Sequence, residues 1–101
     1  MNRLIHKYPL ELTYTQDIFM PVGSKILTAM VQNDTICLWA EHQPDTTLQE
    51  WRRIQIVGTG HVASPEEAIY INSVQMGVYV WHIYEINILN NKDQYNETDK
   101  D

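Results

Sequence analysis

Cysteine is almost missing from this 101-residue chain: Cys37 stands alone, and one thiol makes neither an intrachain disulfide nor a multi-cysteine zinc site. Basic side chains are scarce too, seven against thirteen acidic ones, for a formal charge of −6. Because non-specific affinity for a phosphate polymer is mostly electrostatic, a nucleic-acid polymer is not an expected partner. No apolar run approaches the roughly 20 residues of a membrane span, so no membrane association is expected either. The opening Met1-Asn2-Arg3-Leu4-Ile5-His6-Lys7 is broken by polar groups too early for a secretory leader. The expected location is the cytoplasm.

What is present is alternation. Apolar residues recur at period two rather than 3.6, in segments rich in Ile, Val, Thr, Tyr and Trp, which is the pattern of half-buried strands. The expected strands are Arg3 to Tyr8, Tyr14 to Phe19, Lys25 to Gln32, Thr35 to His42, Trp51 to Thr59, Ala68 to Gln75 and Val78 to Ile88. Pro9 should end the first, Met20-Pro21-Val22-Gly23 should turn the chain after the second, and Asn33-Asp34 should join the third and fourth as a hairpin. On the fourth strand Ile36, Leu38 and Ala40 form the expected core face. Single helical turns are expected at Thr47 to Glu50 and from Ser64, where Ser-Pro-Glu-Glu supplies a cap, a proline at the first helical position and acidic residues behind it. Seven short strands in one domain, residues 1–89, predict an all-β fold, a small antiparallel sandwich or partly open barrel. Residues 90–101 hold four acids and two bases with little to bury, leaving the body near −4 and predicting a disordered tail.

Six short motifs occur together: Lys7-Tyr8-Pro9-Leu10, Met20-Pro21-Val22-Gly23-Ser24-Lys25-Ile26-Leu27, Val31-Gln32-Asn33, Leu38-Trp39-Ala40, Gly58-Thr59-Gly60-His61 and Val80-Trp81-His82. In this order they resemble a family of small tailed-phage proteins characterised only as a domain of unknown function, over about residues 4–86. The resemblance implies phage origin, an accessory gene and expression in the cytoplasm of a bacterial host. It implies no reaction.

The chemical candidates are few. His6, His42, His61 and His82 with Cys37 fall in no known metal-ligand spacing, so no metal and no cofactor is expected. No nucleophile, base and oxyanion pocket converge in the sequence, and the protein is read as no enzyme. Gly58-Thr59-Gly60-His61 is the sharpest local feature: glycines at a strand end let a ligand approach the backbone, Thr59 adds a hydroxyl and His61 a donor. A tight turn that needs glycine for φ alone is the plainer explanation. Arg52 and Arg53 are the only adjacent bases, on opposite faces of a strand, and a guanidinium forks onto phosphate while aromatic faces stack on bases. Trp39, Trp81 and His82 complete the expected ligand site, against the plainer view that such rings pack in a core.

Val78 to Ile88 carries large groups on both faces, which places it either between two layers or at a subunit contact; the latter predicts a homo-oligomer. The functional expectation is a phage-encoded antagonist of bacterial immunity, an oligomeric sponge that sequesters a small cyclic nucleotide signal. The alternatives are a protein-binding inhibitor of a host defence effector, with Asp17, Asp34, Glu41, Asp45, Glu66 and Glu67 on one acidic surface, and a minor virion or scaffolding component.

Overall fold

The computed structural model describes residues 2–63 and 67–87. Seven strands follow in chain order: β1 Leu4–Pro9, β2 Thr15–Pro21, β3 Lys25–Gln32, β4 Thr35–His42, β5 Gln49–Gly58, β6 Ala68–Met76 and β7 Tyr79–Ile86. They form two antiparallel sheets, β1-β4-β3 and β2-β5-β7-β6, which face each other as an open sandwich and do not close into a barrel.

Several boundaries differ from the sequence pattern for identifiable reasons. Pro9 and Pro21 are the last residues of β1 and β2 rather than strand breakers; both strands lie at sheet edges, where a missing N–H costs no ladder bond. The helical turn expected over Thr47 to Glu50 does not form, because Gln49 and Glu50 extend β5 to pair with Pro21 and Met20. Pairing across the sheet outweighs the weak preference of an isolated turn. Asn33 and Asp34 do take positive φ, 53° and 60°, the two-residue hairpin loop whose twist matches its strands. Gly77 (φ 63°) opens the equally tight β6–β7 loop. The helical turn expected from Ser64 falls mainly on residues outside the described ones, as do residues 88–101 with the expected tail.

The core forms where the inward faces meet. Ile36 and Leu38 of β4 and Ala29 of β3 pack against Ile54 and Ile56 of β5, Ile83 of β7 and Val74 of β6, with Leu10 closing one end. Ile36, Leu38 and Ala40 are all buried, as the alternation on β4 predicts, and Cys37 on the reverse face is buried as well. Tyr8 lies against the core rim, and burial pushes its phenol above the usual range.

One seam holds the sheets together beyond packing. β3 and β6 are edge strands of different sheets, and each carries a β-bulge, at Leu27 and at Ile71. The bulge in β6 lets Tyr70 keep to the outer face while Asn72 turns inward opposite Ile83. Its amide then accepts from Ala29 N at 2.8 Å and donates to Ala29 O at 2.8 Å, so a side chain reproduces the two bonds of a strand partner for a residue only 1% exposed. β7 lies between β5 and β6. On its two faces Ile83 and Ile86 are almost fully buried, whereas Tyr79 and Val80 at its start are exposed.

Candidate functional site

β5 connects two differently constructed ends of the sandwich. At its start Arg52 points to the inner face and is enclosed by acceptors. Its Nε donates to Glu85, and Nη2 donates to Glu85 Oε1 at 3.1 Å. Nη1 reaches Ser24 O at 2.8 Å and Glu50 Oε2 at 3.3 Å. Burial opposes the charge, but the hydrogen bond and attraction from Glu85, then those from Glu50, outweigh it and hold the guanidinium above its ordinary pKa. A cavity of about 420 Å³ opens beside this cluster, lined in part by Lys25, Ile26, Ile69 and Tyr70. Arg53 points the opposite way, as alternation requires, and its Nε and Nη2 fork onto Asp17 at 2.8 and 3.1 Å. Both arginines thus meet carboxylates of their own chain.

At the other end β5 outruns β2. Their pairing stops at Thr15↔Gln55, with one further bond from Ile56 N to Tyr14 O at 3.0 Å. Beyond it the chain from Leu12 to Tyr14 draws away, and a pocket of about 280 Å³ lies between that segment and Ile56, Val57, Gly58, His61 and Trp81. Strand geometry orients the backbone here. Ile56 N–H points toward β2 and Thr59 N–H toward Val80 O, so the Gly58 N–H, two residues after Ile56, points into the pocket. Gly58 is closely fitted: a Cβ there would lie 3.1 Å from Trp81 Cζ3 and 3.3 Å from His61 Nδ1, so these rings would have to give by a few tenths of an ångström to admit one. The turn that follows is closed by His61 N donating to Gly58 O at 3.0 Å, with Gly60 at φ 89°. Tyr14 is fixed over the rim by its hydroxyl, which donates to Val62 O at 3.2 Å.

The outer face of the same turn carries a polar chain. His82 Nε2 lies 2.8 Å from Thr59 Oγ1, and His82 Nδ1 lies 2.7 Å from Ser73 Oγ, which in turn bonds the Tyr70 hydroxyl. Thr59 Oγ1 also donates to Val80 O at 3.4 Å. One consistent polarity runs from Tyr70 through Ser73 to Nδ1, and from Nε2–H to Thr59 and Val80 O. The spacing resembles a nucleophile, base and orienting group. The third member is a hydroxyl, which holds the ring but brings no charge to balance an imidazolium.

The nine residues expected at the site therefore separate. Gly58, His61 and Trp81 line one pocket; Thr59 and His82 bond each other on the reverse face, with Gly60 in the turn between. Arg52 and Arg53 lie toward the far end of β5, and Trp39 is on the outer face of the other sheet, paired with Lys7 and Thr28. Leu12, Tyr14, Tyr70 and Ser73 were not expected. Among the described residues no group of three or more His, Cys, Asp or Glu is placed to hold a metal ion, and no helix is long and apolar enough to cross a membrane.

Comparison with known proteins adds one match: the pattern of a family described as a domain of unknown function (DUF7352) covers residues 1–93. The chain belongs to this family. No curated protein matches the DUF7352 chain, and no solved structure does. The match spans β1 to β7, the Gly58–His61 turn included, so the pocket lies inside the family domain.

Proposed function

We propose that this protein is a phage-encoded, non-enzymatic antagonist of bacterial immunity, an oligomeric sponge that binds a small cyclic nucleotide signal in the host cytoplasm. The observation that carries the reading is the pocket beside Gly58. Two aromatic rings and an imidazole, Trp81, Tyr14 and His61, surround a gap beside a backbone donor, the mixture of apolar walls and few polar groups that small-molecule sites use. Its volume, about 280 Å³, sits just below the usual ~300–1,000 Å³ range. One chain thus encloses part of a dinucleotide-sized ligand, and a second copy completes the enclosure.

The rival acidic-surface reading gains less. Asp17 lies on the outer face of the second sheet against Arg53, whereas Glu41 lies on the other sheet and accepts from Arg3 at 3.2 Å. One feature does favour a protein partner: Phe19 and Trp51, half exposed with ring centroids 4.5 Å apart, form an aromatic patch on the outer face. Native mass spectrometry of protein purified from bacteria with active nucleotide-signalling defences distinguishes the two. The sponge predicts an oligomer that retains a small nucleotide and releases it unchanged on denaturation. A ligand-free monomer with a co-purifying host protein would transfer the reading to the inhibitor.

A further inference from the structure

Resting on the sponge reading, we infer that the Gly58 pocket recognises a nucleobase rather than a phosphate: its occupant is a flat, uncharged heteroaromatic ring with an in-plane acceptor for the Gly58 N–H. Three observations lead there. First, the pocket lining contains no lysine or arginine. The arginines that would fork onto phosphate are committed elsewhere, Arg52 to Glu85 and Glu50, Arg53 to Asp17 and Arg3 to Glu41. Recruiting Arg52 would strip two half-buried carboxylates of their partner, a cost that one phosphate contact does not recover.

Second, the gap has the form of a strand edge. β5 continues past the end of β2, so the Gly58 N–H faces the pocket where a neighbouring strand would lie, while the Ile56 N–H and the Gly58 carbonyl are taken by Tyr14 O and His61 N. A purine or pyrimidine edge carries ring nitrogens and carbonyl oxygens in its plane, the acceptors that such a donor can pair with. Third, the walls are flat and apolar. Trp81 and Tyr14 offer ring surfaces, and Leu12, 53% exposed, has a side chain free to close over a bound ring. Stacking on aromatic faces is sequence-tolerant, because every base has a flat π-face. Gly58 sets the depth, since any side chain there pushes into Trp81 and His61. The sugar and phosphates then extend from the mouth, where a second copy or solvent meets them.

The test is calorimetry with cyclic di-AMP, cyclic di-GMP and cyclic ADP-ribose, each repeated at low and high salt. Each nucleotide that binds is then competed with its nucleoside, adenosine or guanosine. Base recognition predicts that the nucleoside competes within about tenfold of the nucleotide and that affinity changes by less than about threefold from 50 to 500 mM salt, since few counterions are released. Gly58→Ala should weaken binding about tenfold, and Trp81→Phe, which keeps an aromatic face, should weaken it less. A nucleotide that binds, falls about a hundredfold in salt and is not displaced by its nucleoside would overturn the inference and leave the sponge reading standing. If none of the three nucleotides binds, the sponge reading fails and this inference fails with it.

Discussion

At the start of β5, Arg52 is enclosed by Glu85, Glu50 and the Ser24 carbonyl, and the charge brought inside is matched bond for bond. Six residues along the same strand, Gly58 has no side chain, no strand on one side of it and a pocket where that strand would run. The first arrangement leaves little for a ligand to add, because every donor of the guanidinium that bears on the site has an acceptor. The second leaves shape, ring surface and a backbone edge unfilled. A positive side chain in a sequence is thus a poor guide to an anion site when its own fold supplies the anion, and a glycine is a better one where its smallness creates the room.

The contrast can be broken most forcefully at the charged end. Arg52→Ala should cost about 3 kcal/mol, because it leaves two half-buried carboxylates without their cation; replacing Arg52 and Glu85 together by Met and Leu should recover most of it. Urea unfolding of the two variants checks this, and an equal loss in both would mean that packing rather than charge holds this end. The seam comes next. Asn72→Ala should cost about 2 kcal/mol by leaving the buried Ala29 N–H and C=O unpaired. Asn72→Asp should cost at least as much, since a carboxylate would face the Ala29 carbonyl; a harmless Asp would show that the donor half of the bridge is unimportant.

At the open end, Gly60→Ala should cost about 1–2 kcal/mol for forcing a side chain into the left-handed region, seen as a lower melting temperature. Arg53→Ala, at a pair more than a third exposed on both sides, should cost less than about 1 kcal/mol. Comparing it with Arg52→Ala tests whether enclosure, rather than residue type, separates two adjacent arginines.

Much of this architecture was legible in the sequence because strands announce themselves by alternation. The β3–β4 hairpin followed from Asn33-Asp34, and the core face of β4 from Ile36, Leu38 and Ala40. The opposite orientations of Arg52 and Arg53 needed nothing but the pleat. Their partners were another matter: Asp17 lies 36 positions from Arg53 and Glu85 33 from Arg52, and only the β2–β5 and β5–β7 registers bring them in. Trp39 was misgrouped for the same reason, since sheet membership is a long-range property. The Ser73–His82 contact was within reach. A two-residue loop at Gly77-Val78 fixes Met76 opposite Tyr79 and hence Ser73 opposite His82, so counting back along the hairpin finds it. Tyr14 was not, because nothing local places it beside Gly58.

Asn72 has a chemical lifetime as well as a structural role. Its side-chain amide can deamidate, the Ser73 backbone nitrogen attacking Cγ with loss of ammonia, and the small Ser73 side chain does little to hinder that attack. The rigid extended backbone and the paired Nδ2 oppose that reaction while the seam is closed. Once it occurs, the donor becomes an anion against a carbonyl and the sheets lose the bond that tied their edges. The protein therefore carries a clock that runs slowly when folded and fast when opened, and material stored warm should age first along this edge rather than at the pocket.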